Sequence, residues 1–301
     1  MLSDKPKKIS LKIKGNKKTH KAYKILLFTT LFIFTIFLSF RVIFFPKSKK
    51  SKRIGIFSTK PSNITKDNIL DFNKEISGFE SFSQYYEDFI LYVMLFDIKN
   101  GFYIDVGAYD PDKVSVTKAF YLRGWNGINI EPLPEKIKLF EKERPNDINL
   151  QIVAGNNEGN VTFYTEGQIS TVIKSYARTN KSINIKMDKM SNICKQYVPK
   201  GKEVDFCKID VEGNERDVLL GYDFTNYKPK VLCIESTVPL SPITTYQLWE
   251  EILINNGYTY VYEKSVNRFY VNNQFPDILK RAKNITDYFK ILNQRRFSQM
   301  R

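Results

Sequence analysis

The chain has one histidine and three cysteines in 301 residues. Cys194, Cys207 and Cys233 are too few for a disulfide framework, and no Cys-x-x-Cys or Cys/His grouping is there to hold zinc, so a structural metal of that kind is excluded. The only histidine, His20, precedes a long apolar run and is not available for chemistry further along the chain. Acid is almost missing from the first sixty residues, which hold 1 of the 32 Asp+Glu but 16 of the 47 Lys+Arg. That segment carries the whole formal charge of +15, and the remainder, with 31 charges of each sign, is neutral. A neutral globular part has no basic stripe for phosphates, which argues against nucleic acid as a partner. A composition 42% hydrophobic and 14% aromatic excludes full disorder and fibrous repeats.

Ile25 to Phe45 is apolar on every side, broken only by Arg41 near one end, and is long enough to cross a bilayer. A buried core helix would show a polar face, and a cleaved signal peptide would show a small-x-small site, which is absent before Pro46. Nine lysines precede the run (Lys5 to Lys24) and six Lys/Arg follow it by Lys60, so the positive-inside rule predicts a cytoplasmic N-terminus and a signal-anchor. The expected organisation is a basic arm (1–24), a transmembrane helix (25–45), a stem (46–78), a folded domain (79–275) and a C-terminal tail (276–301). The domain then lies on the lumenal or extracytoplasmic side, in a Golgi or ER membrane if the cell is eukaryotic.

From residue 79 onward, short apolar runs alternate with helical spacing. Strands are predicted over 101–106, 127–130, 149–154, 204–209 and 231–234, with a closing hairpin of 258–262 and 269–271; helices are predicted over 112–123, 134–144 and 244–256. This is an α/β pattern, a doubly wound and mainly parallel sheet with one reversed edge strand. Ligands of such sheets bind outside the carboxyl ends of the strands. Acids stand there four times, as Asp105, Glu131, Asp210 and Glu235. One alone reads as a helix cap or a chance surface acid; four in series mark a site. The first turn lacks G-x-G-x-x-G, since Gly107 is followed by Ala108, Tyr109, Asp110 and Pro111. A dinucleotide pyrophosphate is therefore disfavoured. A cationic ligand with an amino group and a ribose, such as S-adenosylmethionine, suits the acidic rim, with Glu131 placed for the ribose hydroxyls and Gly107 permitting close backbone approach.

An ordered set of blocks runs from residue 80 to 275: S-Q-Y-Y-E-D (83–88), G-F-Y-I-D-V-G-A-Y-D-P (101–111), S-V-T-K-A-F-Y-L-R-G-W-N-G-I-N-I-E-P (115–132), R-P-N-D-I-N-L (144–150), K-I-D-V-E-G-N-E (208–215), I-E-S-T-V-P (234–239) and N-R-F-Y-V (267–271). This set resembles the FkbM family of S-adenosylmethionine-dependent methyltransferases. The resemblance implies a class I methyltransferase sheet and methyl transfer to an oxygen, in many relatives a sugar hydroxyl of a glycan or glycoconjugate. Carried over by position, Asp105, Gly107 and Glu131, with Ala108 and Tyr109 in the same turn, would hold the cofactor, while Asp210, Glu212 and Glu235 would face the transfer site. Tyr109 departs from the family's usual Asn, a residue that tolerates left-handed backbone. An alcohol acceptor calls for a general base, which here must be a carboxylate: Asp210 first, then Glu212 or Glu235. Glu215 reads as a helix cap. The acids could share a divalent cation, although no spacing identifies one. A competing reading is a non-catalytic single-pass membrane protein that uses a methyltransferase-like domain for cargo, an arrangement that resembles the Star family.

Overall fold

The central strands form where β-branched and aromatic residues predominate, because both faces of a parallel sheet are covered by helices. A computed structural model of the chain describes residue 72 and residues 75–299. In chain order the elements are α1 (Glu87–Leu95), β1 (Phe102–Val106), α2 (Lys118–Tyr121), β2 (Asn126–Ile130), α3 (Pro134–Glu143), β3 (Ile148–Leu150), β4 (Val153–Gly155), β5 (Gly159–Tyr164), β6 (Ser182–Lys189), α4 (Met190–Tyr197), β7 (Phe206–Ile209), α5 (Glu215–Leu220), β8 (Val231–Glu235), α6 (Glu250–Asn255), β9 (Tyr258–Lys264), β10 (Asn267–Asn272), α7 (Pro276–Ala282) and α8 (Ile285–Gln299).

Seven strands make the main sheet in the order β3-β2-β1-β7-β8-β10-β9. The first five are parallel, and β10 runs antiparallel to both β8 and β9. The expected reversed strand is present, but it sits inside the sheet and β9 takes the edge. One face packs Tyr103, Phe206 and Phe269 against α1, α2, α7 and α8; the other packs Ile104, Cys207 and Ile234 against α4, α5 and α6. All three cysteines are free and buried, and Cys207 and Cys233 pack in central strands as expected.

Several boundaries differ from the expectation. The predicted strand 149–154 is two strands, β3 in the main sheet and β4 in a second sheet of order β4-β6-β5. The helix expected over 112–123 is confined to α2, because Asp110 holds the preceding residues in turns through the amides of Asp112 and Lys113. Residues 276–299, expected as a tail, are two helices whose Ile278, Ala282, Ile285 and Leu292 are buried in the core. Phe72 and Ile76, assigned to the stem, are buried in the same cluster. The apolar run 25–45, the basic arm and most of the stem lie outside the described residues; among the described residues no helix is long and apolar enough to cross a membrane.

Candidate active site

The carboxyl ends of β1, β2 and β7 open into a cleft of about 520 Å³, whose lining includes Gly107, Tyr109, Glu131, Asp210, Glu212 and, from the small sheet, Phe163.

The turn after β1 forms one wall. Gly107 has φ +76°, and a Cβ there would stand 1.8 Å from the carbonyl oxygen of Asp210, so a side chain cannot be accommodated. The amides of Gly107 and Ala108 both donate to the carbonyl of Ile130, at 3.0 and 3.1 Å. Tyr109 follows with φ +54°, a left-handed conformation that costs a residue with a side chain about 1 to 2 kcal/mol. Two contacts offset that cost: its amide donates to Glu131 Oε2 at 2.7 Å, and Lys136 Nζ lies 4.0 Å from its ring centroid. With all three amides engaged inside the protein, none remains to cradle a pyrophosphate.

Glu131 is buried at the cleft wall. Its other oxygen accepts the amide of Leu133 at 2.8 Å, so the carboxylate clips the turn after β1 to the turn after β2. Each oxygen keeps a further lone pair for a ligand hydroxyl. Burial pushes its pKa up to about 7, against the pull of the Leu133 and Tyr109 amides.

Asp105 is not among the residues that line the cleft. Side chains alternate along a strand, so Asp105 shares the face of Tyr103 rather than that of Val106, a cleft residue. It is 1% exposed and lies opposite Lys208 in the β1–β7 register. Lys208 Nζ donates to the carbonyl of Gly107 at 2.6 Å and stands 3.4 Å from Asp105 Oδ1 and 3.6 Å from Asp210 Oδ2. Burial alone would lower the pKa of this lysine, but Asp210 and Asp105 outweigh it and hold the value above that of an ordinary lysine. Asp105 therefore acts on the cleft through an ammonium that pins the Gly107 turn to β7. The other oxygen of Asp105 accepts from Thr117 Oγ1 at 3.0 Å. Thr117 accepts in turn from buried Arg144 at 2.7 Å, and Arg144 also donates to Ser115 Oγ and the Pro111 carbonyl. Asp147 completes the network by accepting from Tyr103, Gly127 and Asn129. Asp110 is likewise turned to structural use. Burial would raise its pKa, but the amides of Lys113 and Asp112 and the 2.9 Å pair with Lys136 hold it below the usual carboxylate value.

Asp210, Glu212 and Glu235 converge, each offering a carboxylate oxygen within 4.8 Å of the others. Asp210, whose side chain is 34% exposed, and Glu212 face the cleft, while Glu235 lies behind them at 7% exposure. Burial, then the charge of Asp210, pushes Glu212 up to about 8. Burial followed by Asp210, Glu215 and Glu212 holds Glu235 well above the usual carboxylate range. Glu212 adopts φ +54°, and its carbonyl accepts from Thr171 Oγ1 at 3.0 Å. Gly213 follows with φ +100°, where a Cβ would strike the Tyr176 ring at 2.5 Å. Glu215 accepts the amides of Val211 and Gly213 at 3.1 and 3.0 Å, so it ties down the loop before α5 and does not cap the helix as expected; the N-cap residue, Asn214, makes no side-chain cap hydrogen bond.

Lys208, Arg144 and the β4-β6-β5 wall are the parts of the site that sequence reasoning missed. The strand register was the available signal for Lys208: it occupies the same alternate face as Phe206, directly beside Asp105.

A mainly parallel sheet with a reversed strand between β8 and β9, and an acidic cleft whose Gly107–Tyr109 turn has all its amides engaged within the protein, define an α/β domain of the methyltransferase type. A family model described as the methyltransferase FkbM domain matches residues 105–260, and the chain belongs to that family. Among solved structures, a methyltransferase FkbM from Methylobacillus flagellatus is similar at 12% identity and a TM-score of 0.37, covering 67% of this chain and 58% of its own. This chain thus spans somewhat over half the length of that protein. A proposed RNA methyltransferase from Pyrococcus horikoshii is similar at 12% identity and a TM-score of 0.33, covering 67% of this chain and 98% of its own. No curated protein matches the chain.

Proposed function

We propose that the chain is an S-adenosylmethionine-dependent O-methyltransferase acting on a sugar hydroxyl of a glycan or glycoconjugate. The observation that carries this reading is that Glu131 and Asp210 line one cleft on either side of the Gly107 turn. The residues fit the cofactor: Glu131 retains acceptor capacity for ribose hydroxyls, the cleft is acidic toward a cation, and Gly107 and Tyr109 line it, with Ala108 buried between them in the same turn. Bound there, the cofactor supplies an electrophilic methyl group on a sulfonium.

The protein's own contribution is to align the acceptor and remove its proton. Alignment alone lowers a displacement barrier substantially. Asp210, with 34% of its side chain exposed in the cleft, takes the proton of the acceptor hydroxyl; Glu212 is the next candidate. Asp210→Asn keeps size and hydrogen bonding but abolishes basicity. Turnover is expected to fall by about a hundredfold to ten-thousandfold, with cofactor affinity changed no more than a few-fold. Near-normal turnover of Asp210→Asn with a glycan acceptor would move the base elsewhere.

Membrane anchorage through residues 25–45, with Lys5 to Lys24 in the cytoplasm and the domain across the membrane, belongs to the same proposal and is supported by the charge asymmetry of the sequence. The competing reading, a non-catalytic cargo-binding domain, predicts no turnover in the wild-type chain.

A further inference from the structure

Of the three converging acids, Glu235 is the most buried and has an oxygen that no group of the protein satisfies. Glu235 ends a central strand, is 7% exposed, and its buried Oε2 has no hydrogen-bond partner. Leaving a buried carboxylate without a donor or a counter-charge is costly, so native structures pair such groups or place them on a metal. The neighbouring cation is already committed: Lys208 donates to the Gly107 carbonyl and lies beside Asp105 and Asp210. Among the described residues neither Glu212 nor Glu235 has an ion-pair partner. Glu215, the remaining acid of the loop, is engaged by two backbone amides.

We propose that Asp210, Glu212 and Glu235 hold a single hard divalent cation at the lip of the cleft. Glu235 approaches it from the strand end, and Asp210 and Glu212 from the loop after β7. The donor set is all oxygen, with no imidazole or thiolate, which selects Mg²⁺, Mn²⁺ or Ca²⁺ over zinc or copper. Oxygens on opposite sides of a Ca²⁺ ion are about 4.6 to 5.2 Å apart, and on Mg²⁺ about 4.2 Å. The three carboxylate oxygens lie within 4.8 Å of one another, close enough to share one ion of this kind. The left-handed backbone at Glu212 is what turns its carboxylate back toward the other two, and Glu215 and Thr171 fix that loop conformation. An ion at this point would also acidify a bound hydroxyl, leaving the second oxygen of Asp210 to take its proton, a role that rests on the methyl-transfer reading above.

The test uses the full chain, stripped with EDTA, freed of chelator and held at pH 8, with neither cofactor nor acceptor present. Titrating Mn²⁺ alone and following the resonance of the free ion should show one equivalent bound per chain. Glu235→Gln and Asp210→Asn should each weaken binding by tenfold or more. Mn²⁺ should raise the melting temperature of the wild type by several degrees and leave Glu235→Gln unmoved. Absence of stoichiometric Mn²⁺ binding overturns the proposal, as does affinity that survives both substitutions. Should Glu235→Gln not fold, Asp210→Asn, at the solvent-facing side of the cluster, decides alone. Since only the metal is titrated, a negative result leaves the methyl-transfer reading to its own experiments.

Discussion

Lys208 is the residue on which the two halves of the site depend, and Lys208→Met isolates its charge because methionine keeps most of the buried stem. In the wild type the ammonium is buried, 3.4 Å from an Asp105 oxygen that makes no hydrogen bond, and 2.6 Å from the Gly107 carbonyl. Removing it strands a carboxylate that is 1% exposed, whereas Asp210, with 34% of its side chain exposed, can turn to water. Breaking a buried pair from one side costs about 3 to 5 kcal/mol, a large share of the total stability of about 5 to 15 kcal/mol typical of a folded domain. Urea unfolding followed by tryptophan fluorescence would measure the loss, since Trp125 and Trp249 are both buried. Adding Asp105→Asn to Lys208→Met removes the stranded charge and should recover a substantial part of that stability. A loss below about 1 kcal/mol, the scale of an exposed pair, would refute the reasoning, and so would a double variant no more stable than the single one.

Glu131 makes stability depend on pH. Its folded value of about 7 exceeds the ordinary 4.5, so the native state binds that proton more tightly than the unfolded chain does. Stability should therefore fall as pH rises from about 4.5 to about 7, by on the order of 3 kcal/mol from this group. Burial raises Glu87 and Asp88 in the same direction. Melting in EDTA at pH 5 and pH 8 checks this; Glu131→Gln should flatten the difference, and an equal slope in the variant would contradict it. For topology, protease added outside sealed vesicles should spare the domain and remove a tag placed before Lys5 when the cytoplasmic face is outward. Digestion of the domain with the tag protected would reverse the proposed orientation.

The central strands were legible because burial on both faces fills them with apolar residues, as at Phe102, Ile104 and Val106, Ile128 and Ile130, and Val231 to Ile234. The acids at their ends were legible for the same reason, since a charge closing such a run stands out. That Asp105 shares the face of Tyr103 and not that of the cleft residue Val106 follows from the alternation across the strand, which position along the strand alone does not show. Lys208 was hidden because its neighbours Phe206, Cys207 and Ile209 fix the strand whatever occupies position 208. β5 and β6 escaped because only part of each is buried and residues such as Asn160, Asn184 and Lys186 mask the alternation. The C-terminal helices escaped because their short apolar spacing is interrupted by Lys280, Arg281 and Lys283, yet Ile278 and Ile285 still cover one face of the sheet.

Equilibrium titration of the full chain with S-adenosylmethionine tests the central claim most directly. The account predicts one site, competition by the demethylated product, and an affinity reduced about tenfold to a hundredfold in Glu131→Ala, the equivalent of losing a hydrogen bond to a charged group. No binding by the wild-type chain, or affinity unchanged in Glu131→Ala, would contradict it.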